Sequence, residues 1–453
     1  MIKKLCALTM AAIMAFAAVG CSSAPDESQA NTTETPAAEE QVTESKPETV
    51  ETAANETEEV VEAVEEPAVD EAELLAKEKE EKLNEAKKNV VESTADEAIE
   101  FAKNLKAGWN LGNTLDAFVA GVFNTLDTET SWGNPKTSQE LIDGIANAGF
   151  TTIRVPVSWH NHLTLSEDEK HLIIDPEWLA RVKEIVDYCY KDNLYVIINI
   201  HHDNIPEGKF GFRPDKDNAE QSIWYAREIW NQVADYFKDY DEHLIFEGLN
   251  EPRLTGDAAH EWSYENDNHI YNTSAEIINQ MNQEFVDAVR ASGGNNVNRY
   301  LLVTSYCATL KAAKGLKYAF PEDIASYKLM LSFHAYSPYD FALNPDLSLN
   351  TFDKESGEKE YSAMVTTVNK YFVEKGIPCV LTEYGAQEKG GNLADRVVFY
   401  ETYCKAMADA GIPCVVWDNG IISGDGERFA LIDRSNNEIV YPEITKAIVD
   451  SYK

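Results

Sequence analysis

Eight short, mostly apolar runs recur along the chain, and each is followed by an amphipathic stretch. Nearly unbroken apolar runs are typical of parallel strands, because helices cover both faces of a parallel sheet. Between them, residues 176–192 show the helical pattern, with Leu179, Val182, Ile185, Val186 and Cys189 on one face. The runs lie at residues 107–113, 152–157, 195–201, 244–251, 300–306, 330–336, 378–385 and 414–420.

Eight strand–helix units in succession fit a (β/α)₈ barrel. A doubly wound open sheet is the alternative, but no glycine-rich phosphate-binding loop follows the first run. We therefore predict an α/β fold, a TIM barrel, over residues 95–453.

Residues 1–20 have the features of an export signal. Lys3 and Lys4 precede an apolar stretch from Leu5 to Val19 that is too short to span a bilayer as a stable helix. Small residues stand directly before Cys21, which resembles a bacterial lipobox, in which the cysteine is lipidated and becomes the mature N-terminus. An ordinary secretory signal is the alternative. We expect an extracytoplasmic protein that touches the membrane only through a lipid on Cys21, or a secreted one if Cys21 is not acylated.

Residues 21–94 form an acidic segment with no aromatic residue. From Ser22 to Thr94 there are 22 Asp and Glu residues against 6 Lys. Such a composition cannot bury enough apolar surface to offset the entropy lost on ordering. Glu and Lys three and four apart predict partial helix between Asp70 and Val91. We predict a disordered acidic tether, rich in Glu, Thr, Ala and Pro, that holds the folded domain away from a surface.

The net charge of −39 excludes one class of partner. Phosphates would be repelled, so we expect no nucleic-acid binding, and the charge suits a neutral or cationic substrate. We expect a monomer. Cysteines show neither CxxC nor a metal-ligand spacing, and five are expected to be buried thiols: Cys189, Cys307, Cys379, Cys404 and Cys414.

Ionisable and aromatic residues stand where the predicted strands end, which is where TIM barrels carry their active sites. Glu251 and Glu383 end the fourth and seventh runs, so they can face each other across one cleft. A Glu at a strand end is more often a solvated or ion-paired residue. Here, however, many functional side chains converge on one rim: Arg154, His201, His202, Asn250, His334, Tyr336 and Trp417.

Two carboxyl groups in one cleft suit glycoside hydrolysis. A separation of about 5 Å suits double displacement with retention, and about 6.5–9.5 Å suits inversion. One carboxyl must be an ionised nucleophile and the other a protonated acid. Arg154 is placed to lower the pKa of one carboxyl, and the Tyr336 hydroxyl to hydrogen-bond it. Asn250 is placed to donate to a sugar 2-hydroxyl.

These residues resemble glycoside hydrolase family 5, the retaining (β/α)₈ cellulase family, from about residue 100 onward. "NEP" at 250–252 matches the acid/base motif of that family, and "LTEYGA" at 381–386 matches its nucleophile strand. "GWNLGNTLDA" at 108–117 and "WGNP" at 132–135 further resemble the bacterial endoglucanase and xyloglucanase subfamily, subfamily 4.

The resemblance implies Glu251 as the acid/base and Glu383 as the nucleophile. It implies a supporting or substrate-binding role for Arg154, His201, Asn250, His334, Tyr336 and Trp417, and we add His202 and Asn113 as candidates. Packing is the alternative for His202. Trp417 is expected to stack on a sugar near the cleavage point. No cofactor and no metal are predicted, since the mechanism needs neither.

Other aromatic and histidine residues have more than one interpretation. Trp109 and Trp159 are expected in the core, whereas Trp132 is as well suited to a sugar platform as to packing. His160 and His162 resemble half a metal site, but a loop role or a sugar contact is favoured over zinc.

The predicted activity is endo-acting hydrolysis of β-1,4-glucan, either cellulose-like or mixed-linkage. The same chemistry on xyloglucan, xylan or (gluco)mannan is the alternative, because the catalytic residues do not distinguish these chains. A non-catalytic surface protein that binds glycans is a third reading, and it predicts loss of a carboxylate. The motifs do not constrain the loop at residues 253–272.

Overall fold

Eight parallel strands close into a barrel in a computed structural model, which describes residues 71–205, 210–266 and 268–453. They follow one another around the barrel in chain order, and β8 pairs with β1. The predicted TIM barrel is confirmed, and every predicted run overlaps a strand. The strands are β1 (Ala107–Asn110), β2 (Thr152–Val155), β3 (Tyr195–Asn199), β4 (Leu244–Glu247), β5 (Leu301–Val303), β6 (Leu329–His334), β7 (Cys379–Tyr384) and β8 (Cys414–Val416).

Helices surround the barrel. In α4, Asp175 caps the first turn by accepting from the backbone N–H of Glu177, and Pro176 opens the helix. The helices are α1 (Glu71–Lys87), α2 (Ala95–Asn104), α3 (Gln139–Asn147), α4 (Pro176–Lys191), α5 (Ala219–Phe237), α6 (His269–Ala291), α7 (Leu310–Ala313), α8 (Tyr339–Ala342), α9 (Lys354–Tyr371), α10 (Leu393–Asp409) and α11 (Pro442–Asp450). The predicted face of α4 is buried, as are Trp109, Trp159 and the five cysteines.

Smaller elements lie in the loops. Two antiparallel hairpins pair Leu163–Leu165 with Leu172–Ile174, and Ile432–Asp433 with Glu438–Ile439. Short 3₁₀ turns lie at Leu126–Thr130, His160–His162, Lys216–Asn218, Gly294–Val297, Tyr306–Ala308 and Val373–Lys375. Within the described ranges, no helix is both long and apolar enough to cross a membrane.

Helix α1 lies before Ala95, where the sequence predicted that the folded domain begins, yet it packs against that domain. Lys79 on α1 lies 3.1 Å from Glu284 and 3.1 Å from Asp287, both on α6. The Asn298 side chain accepts from the backbone N–H of Val91 and donates to the carbonyl of Asn89. Residues 71–94 therefore belong to the folded body, and the predicted partial helix is confirmed. Residues 1–70 lie outside the described part, so the signal, the lipidation of Cys21 and the tether before α1 stay predictions.

The interior of the barrel is apolar at the end where the strands begin. Helix α2 closes that end with Phe101 and with its C-cap residue Leu105, and the Phe101 ring stacks on Tyr300 with centroids 3.7 Å apart. Burial of this kind stabilises by about 25 cal/mol per Å² of apolar surface. The inward-facing residues of this layer are Ile197, Ile245, Leu302, Met330, Val380 and Val415.

The next inward-facing layer, toward the carboxyl ends of the strands, is polar. Side chains alternate along each strand, so the positions two residues further on point into the same interior. These positions are fully or almost fully buried, and buried polar groups need partners inside the protein. The layer consists of Asn110, Arg154, Asn199, Glu247, Thr304, Ser332 and Thr382.

Candidate active site

Arg154 on β2 lies at the centre of the polar layer and is fully buried. Its Nε donates to Glu247 and its Nη1 to Glu383, each over 2.7 Å. The same Nη1 donates to Asn110 over 2.9 Å, and Nη2 donates to the Asn250 side-chain oxygen over 2.7 Å. Burial acts to lower the pKa of Arg154, but the two carboxylates outweigh it and raise that pKa. One guanidinium from β2 thus fixes side chains from β1, from β4 and the loop after it, and from β7.

Glu247 is the buried partner of this cation, and the sequence analysis did not identify it. Its carboxylate accepts from Arg154, from Asn199 over 2.8 Å and from Ser332 over 2.5 Å. A signal was present, because a Glu in an inward-facing position of an apolar strand requires a charged partner. Sequence alone did not show that the partner was Arg154.

The two predicted catalytic carboxylates face each other across the rim. One oxygen of Glu251, one oxygen of Glu383 and one nitrogen of His334 lie within 4.8 Å of one another. His334 Nδ1 is 2.7 Å from Glu251 and 3.6 Å from Glu383. The Tyr336 hydroxyl donates to the second oxygen of Glu383 over 3.1 Å. The structure therefore brings together the side chains that the sequence placed on separate strands.

Glu251, Glu383 and His334 shift one another's pKa values. Burial raises the pKa of Glu383 and the Glu251 charge adds to this, against the charges of His334 and Arg154. Burial acts upward on Glu251 too, but the His334 hydrogen bond and charge, with Arg253, keep its pKa below the usual value. The carboxylates raise the pKa of His334 against its burial. Because these groups lie so close together, each step in which a proton is gained or lost belongs to the group and not to one residue.

His201 and Trp417 form one wall of the cleft. The His201 ring is parallel to Trp417, with centroids 5.9 Å apart. The amides of Asn199 and Asn250 present their nitrogens to the two ring nitrogens, at 3.1 and 3.3 Å. Burial and neighbouring positive groups hold the pKa of His201 well below its usual value. The ring is therefore neutral, so only one of its nitrogens can accept from these amides, and it helps to orient Asn250 and Trp417.

His202 and Asn113 lie at the edge of this group, around Asp116. The buried Asp116 carboxylate accepts from the backbone N–H of Asn113 over 3.0 Å and lies 3.7 Å from His202 Nε2. Burial raises the pKa of Asp116 to about 6. Half-buried Trp132 packs against Phe118 and His202, so packing accounts for part of its surface. Asp116, His201 and His202 also bring potential metal-ligating atoms within 4.8 Å.

His160 and His162 do not share a site. His160 pairs through Nδ1 with the Asp203 carboxylate over 3.2 Å. The His162 ring stacks on Trp178 with centroids 3.6 Å apart, and its Nε2 contacts the Thr128 hydroxyl at 3.1 Å. Burial lowers the pKa of His162 to about 3. The predicted loop role fits both residues better than a metal role.

A closed barrel with two carboxyl groups facing each other at its carboxyl rim defines a (β/α)₈ glycoside hydrolase. The family model of the cellulases, glycosyl hydrolase family 5, matches residues 115–423. Endoglucanase B of Neocallimastix patriciarum is 40% identical over 360 residues, covering 77% of this chain and 71% of that protein.

Solved structures give the same result. A family 5 lichenase from Caldicellulosiruptor sp. F32, a mutant in complex with cellotetraose, is 42% identical, with a TM-score of 0.74, covering 80% of this chain and 96% of the other. A family 5 xyloglucan-specific endo-β-1,4-glucanase from a metagenomic library, in complex with cellotriose, is 37% identical, with a TM-score of 0.70, covering 79% and 99%. The chain belongs to glycosyl hydrolase family 5, the cellulase family, and it is an endo-acting β-glucan hydrolase.

The buried ion pair permits a test that separates stability from activity. Arg154→Leu should lower the free energy of unfolding by about 3–5 kcal/mol, because Glu247 stays buried without its cation. Arg154→Leu/Glu247→Leu should recover much of that loss, since an apolar pair of similar volume is often tolerated. Both variants should lose about 10²-fold or more in kcat/KM, because Glu383 and Asn250 lose their position. Urea unfolding and β-glucan hydrolysis measure the two effects, and an active double variant would contradict the orienting role.

Proposed function

We propose that Glu383 is the nucleophile and Glu251 the acid/base of a double displacement that cleaves β-1,4-glucan inside the chain. The observation that carries this proposal is the separation of the two carboxylates. Their nearest oxygens lie within 4.8 Å, close to the roughly 5–5.5 Å of retaining enzymes and well below the 6.5–9.5 Å of inverting ones. An intervening water for direct attack has no room at the shorter distance.

Hydrogen bonding supports Glu383 as the nucleophile. One oxygen accepts from Arg154 and the other from the Tyr336 hydroxyl. Arginine has no acceptor and is always charged, so these two partners favour the ionised carboxylate, against burial and the Glu251 charge, which raise its pKa. A fixed, ionised oxygen facing the cleft is what attack on an anomeric carbon requires.

The pairing of Glu251 with His334 supports the acid/base role. Glu251 and His334 Nδ1, 2.7 Å apart, can hold one proton between them for the leaving oxygen. Attack by Glu383 converts its carboxylate to a neutral ester. The repulsion that opposed ionisation of Glu251 then disappears, so Glu251 releases its proton more readily and can deprotonate the incoming water.

Two further side chains are suited to the sugar itself. Asn250 is oriented by Arg154 and faces His201, which places its amide to hydrogen-bond a 2-hydroxyl. Such a bond strengthens in the transition state of glycoside cleavage. Trp417 is 8% exposed, and this open part of its ring suits contact with an apolar sugar face.

A neutral β-1,4-glucan, cellulose-like or mixed-linkage, is the proposed substrate. Similarity to a lichenase solved in complex with cellotetraose supports mixed-linkage glucan, and the net charge of −39 is compatible with a neutral chain. Xyloglucan remains the second candidate, because a xyloglucan-specific relative is also similar over most of its length.

The roles of the two carboxylates can be separated by azide. With an activated aryl cellobioside, Glu251→Ala should form the glycosyl-enzyme and then stall for want of a base. Azide needs no deprotonation, so it should restore turnover and give the β-glycosyl azide. Glu383→Ala should give the α product or none. General acid–base help is worth about 10²–10⁴ in rate, so the rescue should be large. The α product from Glu251→Ala and the β product from Glu383→Ala would reverse the roles. Normal turnover by Glu251→Ala would remove Glu251 from catalysis.

Substrate choice is tested with purified polysaccharides. The wild type should hydrolyse mixed-linkage β-glucan and soluble cellulose derivatives faster than xylan or mannan, and should release long oligosaccharides before short ones. Product lengths resolved over time distinguish this from an exo-acting enzyme, which releases one short product throughout. Faster hydrolysis of xyloglucan than of both glucans would transfer the assignment to the second candidate.

We also propose that Cys21 carries a lipid and anchors the enzyme outside the cell. Support comes from the sequence, in which small residues precede Cys21 and an acidic stretch follows it. Metabolic labelling with a palmitate analogue should mark the wild type, and Cys21→Ala should stay unlabelled. Equal labelling of both proteins would disprove the anchor.

A further inference from the structure

The loop after β4, which the motifs left unconstrained, is fixed to the end of β5. The Tyr306 hydroxyl accepts from the backbone N–H of Leu254 over 3.0 Å and donates to the carbonyl of His260 over 2.9 Å. Cys307 Sγ donates to the carbonyl of Glu261 over 3.0 Å. Cys307 has a φ of 52°, which non-glycine residues seldom adopt and which is retained where the surroundings require it.

This loop holds Arg253 in one orientation. The guanidinium lies 4.0 Å from the centre of the Trp262 ring, and Nε donates to Glu261 over 3.3 Å. The other oxygen of Glu261 accepts from the backbone N–H of Gly256, which fixes the carboxylate in turn. Arg253 Nη1 donates to the carbonyl of Glu251 over 3.0 Å and lies 3.7 Å from its Oε2. The cation thus faces the carboxylate oxygen that His334 does not use.

We propose that Arg253 is a positioning residue that stabilises the ionised form of Glu251 throughout the reaction cycle. The proposal rests on the acid/base role proposed for Glu251. An opposite charge within about 4–6 Å favours the charged form of a carboxyl group. Arg253 therefore makes Glu251 a stronger acid toward the leaving oxygen. It also keeps the carboxylate ready to accept a proton from water.

Several other ionisable groups face Glu251 from β6, β7 and the loops after β3, β5, β6 and β8. His334 and His202 add positive charge only when protonated, and Glu383 and Glu427 add negative charge. Burial keeps the thiol of Cys307 and the hydroxyl of Tyr336 neutral by raising their pKa values. Of the groups that face Glu251 from these elements and its own loop, Arg253 is the one whose charge does not change with pH.

The test compares pH profiles. In Arg253→Gln the pKa of Glu251 should rise, so the alkaline limb of kcat/KM on a soluble β-glucan should move up by about one pH unit. With a dinitrophenyl cellobioside, whose turnover is limited by hydrolysis of the glycosyl-enzyme, the acid limb of kcat should move up as well. Arg253→Lys, which keeps the charge, should show less than half of either shift. Trp262→Ala removes the stacking surface and keeps the charge, so its limbs should stay near those of the wild type.

Several outcomes would overturn the role of Arg253. If activity falls in Arg253→Gln at every pH and neither limb of the pH profile moves, the residue has a structural role only. Equal shifts of the limbs in Arg253→Gln and Trp262→Ala would assign the effect to loop packing. If the limbs of the pH profile of Arg253→Lys move as far as those of Arg253→Gln, charge is excluded as the cause. If Arg253→Gln does not fold, Arg253→Met, which keeps an apolar stem against Trp262, carries the same test. The azide experiment tests the acid/base role of Glu251 independently. If azide rescues Glu251→Ala but the pH profile of Arg253→Gln does not move, only the role proposed for Arg253 is rejected.

Discussion

A permanent positive charge inside the barrel is the constraint on which the rest of the site depends. Arg154 is fully buried, and taking a guanidinium out of water costs several kcal/mol unless anions and acceptors surround it. Glu247 supplies one buried anion, and Glu383 supplies the second at the rim. The same group orients Asn250. A single desolvated cation therefore links the stability of the barrel interior to the geometry of the cleft.

Much of this architecture was predictable from the sequence because it rests on periodicity. Apolar runs and amphipathic stretches gave the number and order of the strands, and strand ends indicated Glu251 and Glu383. Arg154 was assigned to the rim, whereas the structure places it one layer deeper, among buried polar groups. Composition also misplaced the domain boundary at Ala95. The charged helix α1 docks through a few specific contacts, such as those of Lys79, which a count of acidic residues does not reveal.

What the sequence did not provide are pairings between distant segments. Glu247 was visible as a charge within an apolar strand, but its partner on β2 is 93 residues away. The loop around Arg253 has no period to follow, and its conformation depends on Tyr306 and Cys307, which come from the next strand–loop unit. Such contacts follow from three-dimensional closure of the barrel, and local pattern carries little information about them.

The pairing of β1 with β8 also determines when the chain can complete its fold. Ala107 lies beside Cys414 in that pairing, so the ring of strands closes only after the roughly 300 residues between them have been synthesised. Until then both edge strands present unpaired backbone groups, and α2 has no complete apolar layer to cover. Contacts between residues so far apart in sequence form late and slowly. A nascent chain of this topology therefore exposes two open sheet edges until the final strand arrives.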